Sequence, residues 1–138
     1  MKYNMSKIID ATFEQAVDRV VEALGDHGFD ILSEINMHEK VKEKLDVNIK
    51  RYRILGACIT KLAYKAMQMD DKIGVILPCN IMIHEIKKNT IEVTANDPVT
   101  SMMSAENPEL DKIAKEIKRK LERVIESLHS GVESYGLV

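Results

Sequence analysis

The sequence predicts an α+β fold in which helices cover one face of an antiparallel sheet. Three observations carry this. Phe13, Ala16, Val17, Val20, Val21 and Leu24 recur at three-and-four spacing, one face of a helix. Phe29, Ile31, Ile35 and Met37 alternate with Asp30, Glu34 and Asn36, the pattern of a half-buried strand. Near the end, Lys87 to Asn89 forms a turn between two alternating segments, and hairpins favour antiparallel pairing.

The elements follow in order. The stretch Tyr3 to Ile9 reads as an extra strand. Thr12 and Gln15 have the spacing of a capping box ahead of the first helix, and Gly28 suits its end. Glu39 to Leu45 reads as one or two helical turns with Val41 and Leu45 facing inward. Lys50 to Cys58 reads as a strand with Tyr52, Ile54, Gly56 and Cys58 on one face and Arg51, Arg53, Leu55 and Ala57 on the other. A helix is expected over Lys61 to Met69, capped by Thr60. Ile73 to Ile86 reads as one long strand, or two bent at Pro78, because proline has no ladder donor. Thr90 to Ala95 completes the hairpin, and Asn96-Asp97-Pro98 makes a turn into a methionine-containing loop from Val99 to Glu106. Asn107 caps the last helix and Pro108 takes its first position. Its stripe runs from Leu110 to Leu128, and Gly131 stops it.

Composition narrows the function. The 138 residues fit a single domain, 1–138, and 45% apolar content suffices for a core without disulfides or structural metal. A net charge of −2 gives no bulk attraction to nucleic acid or an anionic membrane. No secretory signal is visible, and the longest apolar-plus-glycine run, Ile73 to Leu77, is too short to span a bilayer. These features point to a cytoplasmic protein with reduced cysteines and neither a nucleic-acid nor a membrane partner. Along the last helix, Asp111–Lys115 and Glu116–Lys120 have ion-pair spacing, the mark of a solvated face.

Three local sequences, in this order and spacing, resemble the domain of unknown function 302 (DUF302) family. They are Ala23-Leu24 through Gly28-Phe29, then Ile54-Leu55-Gly56-Ala57-Cys58, then Leu77-Pro78-Cys79-Asn80 followed by an alternating strand and Asp97-Pro98. The resemblance covers nearly the whole chain. It implies a four-stranded antiparallel sheet packed against helices, similar in topology to TATA-binding-protein-like folds, and a homodimer. It implies no settled activity or cofactor. The family usually follows its first cysteine with Asn-Pro; Ile59 and Thr60 stand there in this chain.

The candidate site gathers Cys58, Thr60, Pro78, Cys79 and Asn80 at one end of the sheet, with Met103 from the methionine loop. Cys58 precedes a helix N-terminus, where unpaired amides favour a thiolate. By strand parity Cys58 falls with Tyr52 and Ile54, Cys79 with Leu77, Ile81 and Ile83, and both are expected on the core face. Two readings stay open: a reactive or soft-metal-binding pair beside which Asn80 orients a ligand by hydrogen bonding, or two small side chains that only pack. His84 lies on the strand face opposite Cys79, with Asn80, Met82 and Ile86. That mixed face suits a ligand groove or a dimer contact. No nucleophile elbow, phosphate loop, HExxH or CxxC is present, and His27, His38 and His129 have no catalytic partner in sequence. The functional expectation is a dimeric domain that binds a small ligand or a soft metal, or else a homodimeric interaction module.

Overall fold

The computed structural model describes residues 5–102 and 106–128. Tyr3, Met103, His129 and Gly131 lie outside them. The chain runs β1 (Met5–Asp10), α1 (Phe13–Asp26), β2 (Asp30–Asn36), α2 (Met37–Leu45), β3 (Tyr52–Cys58), α3 (Thr60–Met69), a 3-10 turn (Ile73–Val75), β4 (Cys79–Lys87), β5 (Thr90–Ala95), α4 (Pro98–Met102) and α5 (Pro108–Ser127).

The strands form one antiparallel sheet of five, in the order β1-β5-β4-β3-β2. The expected count of four is thus too low by β1, which pairs along its whole length with β5 from Met5↔Ala95 to Asp10↔Thr90. Helices α1 and α5 lie across the sheet, and α3 and α4 pack against α5. Between them sits the core: Phe13, Val20 and Leu24 from α1, Ile81 and Ile83 from β4, Ile91 and Val93 from β5, and Leu110, Leu121 and Val124 from α5.

Local chemistry sets the helix ends. Thr12 Oγ1 accepts from the Gln15 N–H, and the Gln15 side chain accepts from the Thr12 N–H, each at 3.1 Å. Gly28 leaves the helix with φ of +83°, a region that favours glycine. Asn107 Oδ1 accepts from Glu109 N–H at 2.9 Å and Leu110 N–H at 3.4 Å, closing the start of α5 ahead of Pro108. An Asn107→Ala variant is expected to lose about 1 kcal/mol of stability in urea unfolding, the usual weight of such a cap. Asp111 and Lys115 close to 3.0 Å on α5, an exposed pair of little energetic weight, whereas Glu116 and Lys120 form no ion pair.

Several elements differ from expectation. Ile73–Val75 is a 3-10 turn, and the strand begins only at Cys79, after Pro78. The segment from Val99 holds the short helix α4, with Asp97 Oδ1 accepting from Val99 N–H at 2.8 Å. Helix α2 buries no residue, and Leu45, expected inside, is 69% exposed. In β2 a bulge between Ile31 and Ser33 reverses the alternation. Ile31 opposes Ala57 on the core side, but Ile35 opposes Ile54 on the other side and is exposed.

Candidate functional site

The helices leave one sheet face uncovered, and register states which side chains occupy it. One row across the strands is Ile35, Ile54, Met82, Thr94 and Ser6; the next is Tyr52, His84, Glu92 and Ile8. A third row pairs Ser33, Gly56 and Asn80, and Cys58 opposes Asp30 at its end. These residues alternate with the buried Leu55, Ala57, Ile81, Ile83, Ile91 and Val93, which point into the core.

The open face holds a concavity of about 560 Å³. Ile54 and Met82 form its apolar floor, and Tyr52 stands at one side. The Tyr52 ring packs against His84, with centroids 4.9 Å apart at 46°. Tyr52 is held from behind, where its N–H donates to His38 Nδ1 at 3.0 Å. Opposite it, the Ser6 and Thr94 hydroxyls share a hydrogen bond of 2.9 Å. The upper rim is Asn80 and Asn96. Asn80 donates its backbone N–H to Asn96 Oδ1 at 2.8 Å, and Asn96 Nδ2 donates to Ser101 Oγ at 3.2 Å. The Asn96 side chain is therefore committed, while the Asn80 side chain faces the concavity with no partner among the described residues. Glu92 completes the lining as its one carboxylate.

The cysteines occupy different environments. Cys79 opposes Ala57 and lies in the core beside Ile81. Burial, with a smaller contribution from Cys58, pushes its thiol up to about 11. Cys58 stands one position beyond the Ala57–Cys79 pair, so its side chain leaves on the opposite, open face. The expectation that both point into the core is corrected for Cys58, and the expected cysteine pair with it, since the sheet separates the two sulfurs. Parity placed Tyr52, Ile54 and Cys58 together correctly but assigned them the wrong side. Arg53 was the misleading residue. It shares the core side with Leu55 and Ala57 at the sheet end, where its guanidinium lies 5.4 Å from the Phe13 ring centroid, its Nε donates to Asn36 Oδ1 at 2.6 Å, and Glu34 pairs with it at 3.4 Å.

Thr60 does not cap α3; Ile59 occupies that position without a side-chain bond. The Thr60 hydroxyl donates instead to Asp30 Oδ2 across the strand-to-helix junction. Cys58 Sγ lies 3.7 Å from Thr60 Oγ1. Because that hydroxyl proton is directed at Asp30, the thiol is the donor in this contact. Cys58 is only 5% exposed. Gly56 is shut in beside it, since a Cβ there would strike Ser33 Oγ and stand 3.0 Å from Pro78 Cγ. Pro78 thus acts by packing over the end of the sheet. Neither thiol is presented for chemistry. In the folded protein both cysteines are expected to resist a disulfide reagent such as DTNB for as long as the fold persists, and both to react at once in guanidinium.

Among the described residues, no group of three or more His, Cys, Asp and Glu side chains is placed to hold a metal ion. Met102 is buried in α4, and Met103 lies outside the described residues. Of the residues singled out from sequence, Asn80 reaches the concavity. Cys58, Thr60 and Pro78 lie beyond its upper rim, and Cys79 faces away from it. Sequence reasoning missed Ser6, Tyr52, Glu92, Thr94 and Asn96 as lining. No local signal marked Glu92: a bulge between Glu85 and Lys87 shifts the hairpin register by one residue, and only that shift puts Glu92 opposite His84.

No helix among the described residues is long and apolar enough to cross a membrane. No curated protein matches the chain. A crystal structure of an uncharacterized conserved protein DUF302 from Bacillus stearothermophilus superimposes with a TM-score of 0.79, covering 88% of this chain and 94% of that one at 21% identity. At that identity the likeness speaks for the fold. The sequence itself matches the family described as Domain of unknown function DUF302 over residues 5–128, so the chain belongs to the DUF302 family.

Proposed function

We propose that this protein is a non-enzymatic small-ligand-binding domain whose site is the concavity on the open face of the sheet. The observation that carries the reading is the concavity itself: about 560 Å³, with an apolar floor of Ile54 and Met82 inside a polar rim. Ligand sites commonly span about 300–1,000 Å³ and combine apolar walls with a few placed polar groups. Most of those polar groups stand on paired strands, which hold them without the ordering cost that a loop site carries. The thiols have no part in this reading, because one is in the core and the other donates into the Thr60–Asp30 contact.

Native mass spectrometry of gently purified protein tests the proposal. A non-covalent adduct of small-molecule mass is expected on the parent chain and on a Cys58→Ala/Cys79→Ala variant. It should be absent from Met82→Arg, which fills the floor with a charged side chain. An adduct that survives in Met82→Arg would place the ligand elsewhere.

A second reading is that two copies of the chain meet through exposed apolar surface. It is favoured by α2, which buries nothing, and by the segment after it, where Leu45, Val47 and Ile49 alternate with polar residues and are 69%, 47% and 43% exposed. Ile8 and Ile35 add exposed apolar side chains on the open face. Light scattering on a sizing column separates the readings. A homodimer that halves in mass on Met82→Arg uses the concave face for assembly. A mass unchanged by that substitution leaves the face free for a ligand.

A further inference from the structure

We infer that the ligand of the open face is a small organic cation, a protonated amine carried on a flat ring. This rests on the proposed binding reading and deepens it. Charge gives the first argument. Glu92 is the only formally charged residue lining the concavity, and it makes no hydrogen bond or ion pair among the described residues. Asp10 and Asp30 stand on the same face by register, Asp10 in the row next to Glu92 and Asp30 opposite Cys58. The basic residue that register brings to this face, Lys87, shares its row with Thr90 and Asp10 at the hairpin end. No lysine or arginine lines the concavity. A bound anion would therefore meet a carboxylate and no cation, whereas an ammonium group gains a charge-assisted hydrogen bond to Glu92.

The second argument is the floor. Ile54 and Met82 present a flat, two-residue apolar patch, which suits a ring laid against the sheet. A thioether makes favourable contacts with aromatic rings, and the face of a tyrosine ring attracts a cation. Tyr52 is fixed by its backbone bond to His38 and its contact with His84, so it is preorganised to flank such a ligand. The free Asn80 amide on the opposite rim can accept from or donate to a ring substituent.

Three probes that share a phenyl ring and differ in charge test the inference: 2-phenylethylammonium, 2-phenylethanol and 3-phenylpropanoate. Each is titrated into the 15N-labelled full chain and followed by amide shifts. The ammonium is expected to move the amides of Tyr52, Ile54, Met82 and Thr94, with an affinity about tenfold above that of the alcohol, the size of one charge-assisted hydrogen bond. The carboxylate should leave them in place. Glu92→Gln should bring the ammonium down to the alcohol, and unchanged binding of the alcohol reports that this variant remains folded. If the alcohol or the carboxylate binds these residues as well as the ammonium, or Glu92→Gln changes nothing, the cation assignment is wrong while the site stands. If none of the three moves these amides, both the assignment and the binding reading fall.

Discussion

Ile83→Ala is expected to cost about 2–5 kcal/mol of folding stability, while Met82→Ala, one residue earlier on the same strand, should cost less than about 1 kcal/mol. The contrast comes from the pleat. Ile83 points into the helix layer, is fully buried, and opposes Val93 on β5, so truncation leaves a cavity among side chains that cannot collapse around it. Met82 points the other way, onto a floor already open to water, where removing the thioether mostly exposes what was half exposed. Urea midpoints of the two variants against the parent measure this. Equal losses would mean that the open face is covered in solution, as it would be in a tightly held dimer.

The second large effect is a loss of stability in alkali that follows Cys79. Its thiol ionises near 11 in the folded chain, against 9.0 for an unperturbed cysteine, chiefly because burial disfavours the thiolate. Between those values the folded state holds a proton that the unfolded state has released, so stability falls as pH rises. The full contribution is present below pH 9 and is gone above pH 11, a difference of about 2–3 kcal/mol at most. Lys118 acts in the same direction but higher up. Its ammonium donates to Asp97 at 2.9 Å, a bond that raises its pKa above 10.5, and deprotonation on further alkalisation releases α5 from the β5–α4 turn. Cys79→Ala should therefore flatten the stability profile between about pH 9 and 10.5 and keep the steeper fall above it. An unaltered profile in Cys79→Ala would show that the thiol is not sealed from water.

Much of the fold was legible because local chemistry and burial agree. The Thr12–Gln15 box, the α1 stripe, Asn107-Pro108 and the α5 stripe each specify one answer, and the structure adopts it. The family resemblance was equally legible, because its short sequences fall at strand ends and turns that the fold uses. What was not legible depends on partners distant in sequence. The bulge between Ile31 and Ser33 changes which side Ile35 occupies, and no residue near it announces the change. Arg53 looks like an outward residue but reaches along the sheet end to Phe13, so the two faces of β3 were exchanged. That exchange put Cys58 in the core beside Cys79 and suggested a pair. The open face was half visible, since Asn80, Met82 and His84 share it by parity alone. The rest of the concavity comes from β1, β3 and β5, and only the cross-strand register brings Ser6, Tyr52, Glu92 and Thr94 beside them.

Oxidative footprinting in living cells measures most directly whether the uncovered side of the sheet is where this protein meets its ligand. Met82 is its natural reporter, with Met5 and Met102, both 4% exposed, as internal references. Met82 should oxidise slowly in cells and markedly faster in protein stripped by unfolding and refolding, while Met5 and Met102 stay slow in both. Equal oxidation of Met82 in the two preparations would contradict a ligand on this face.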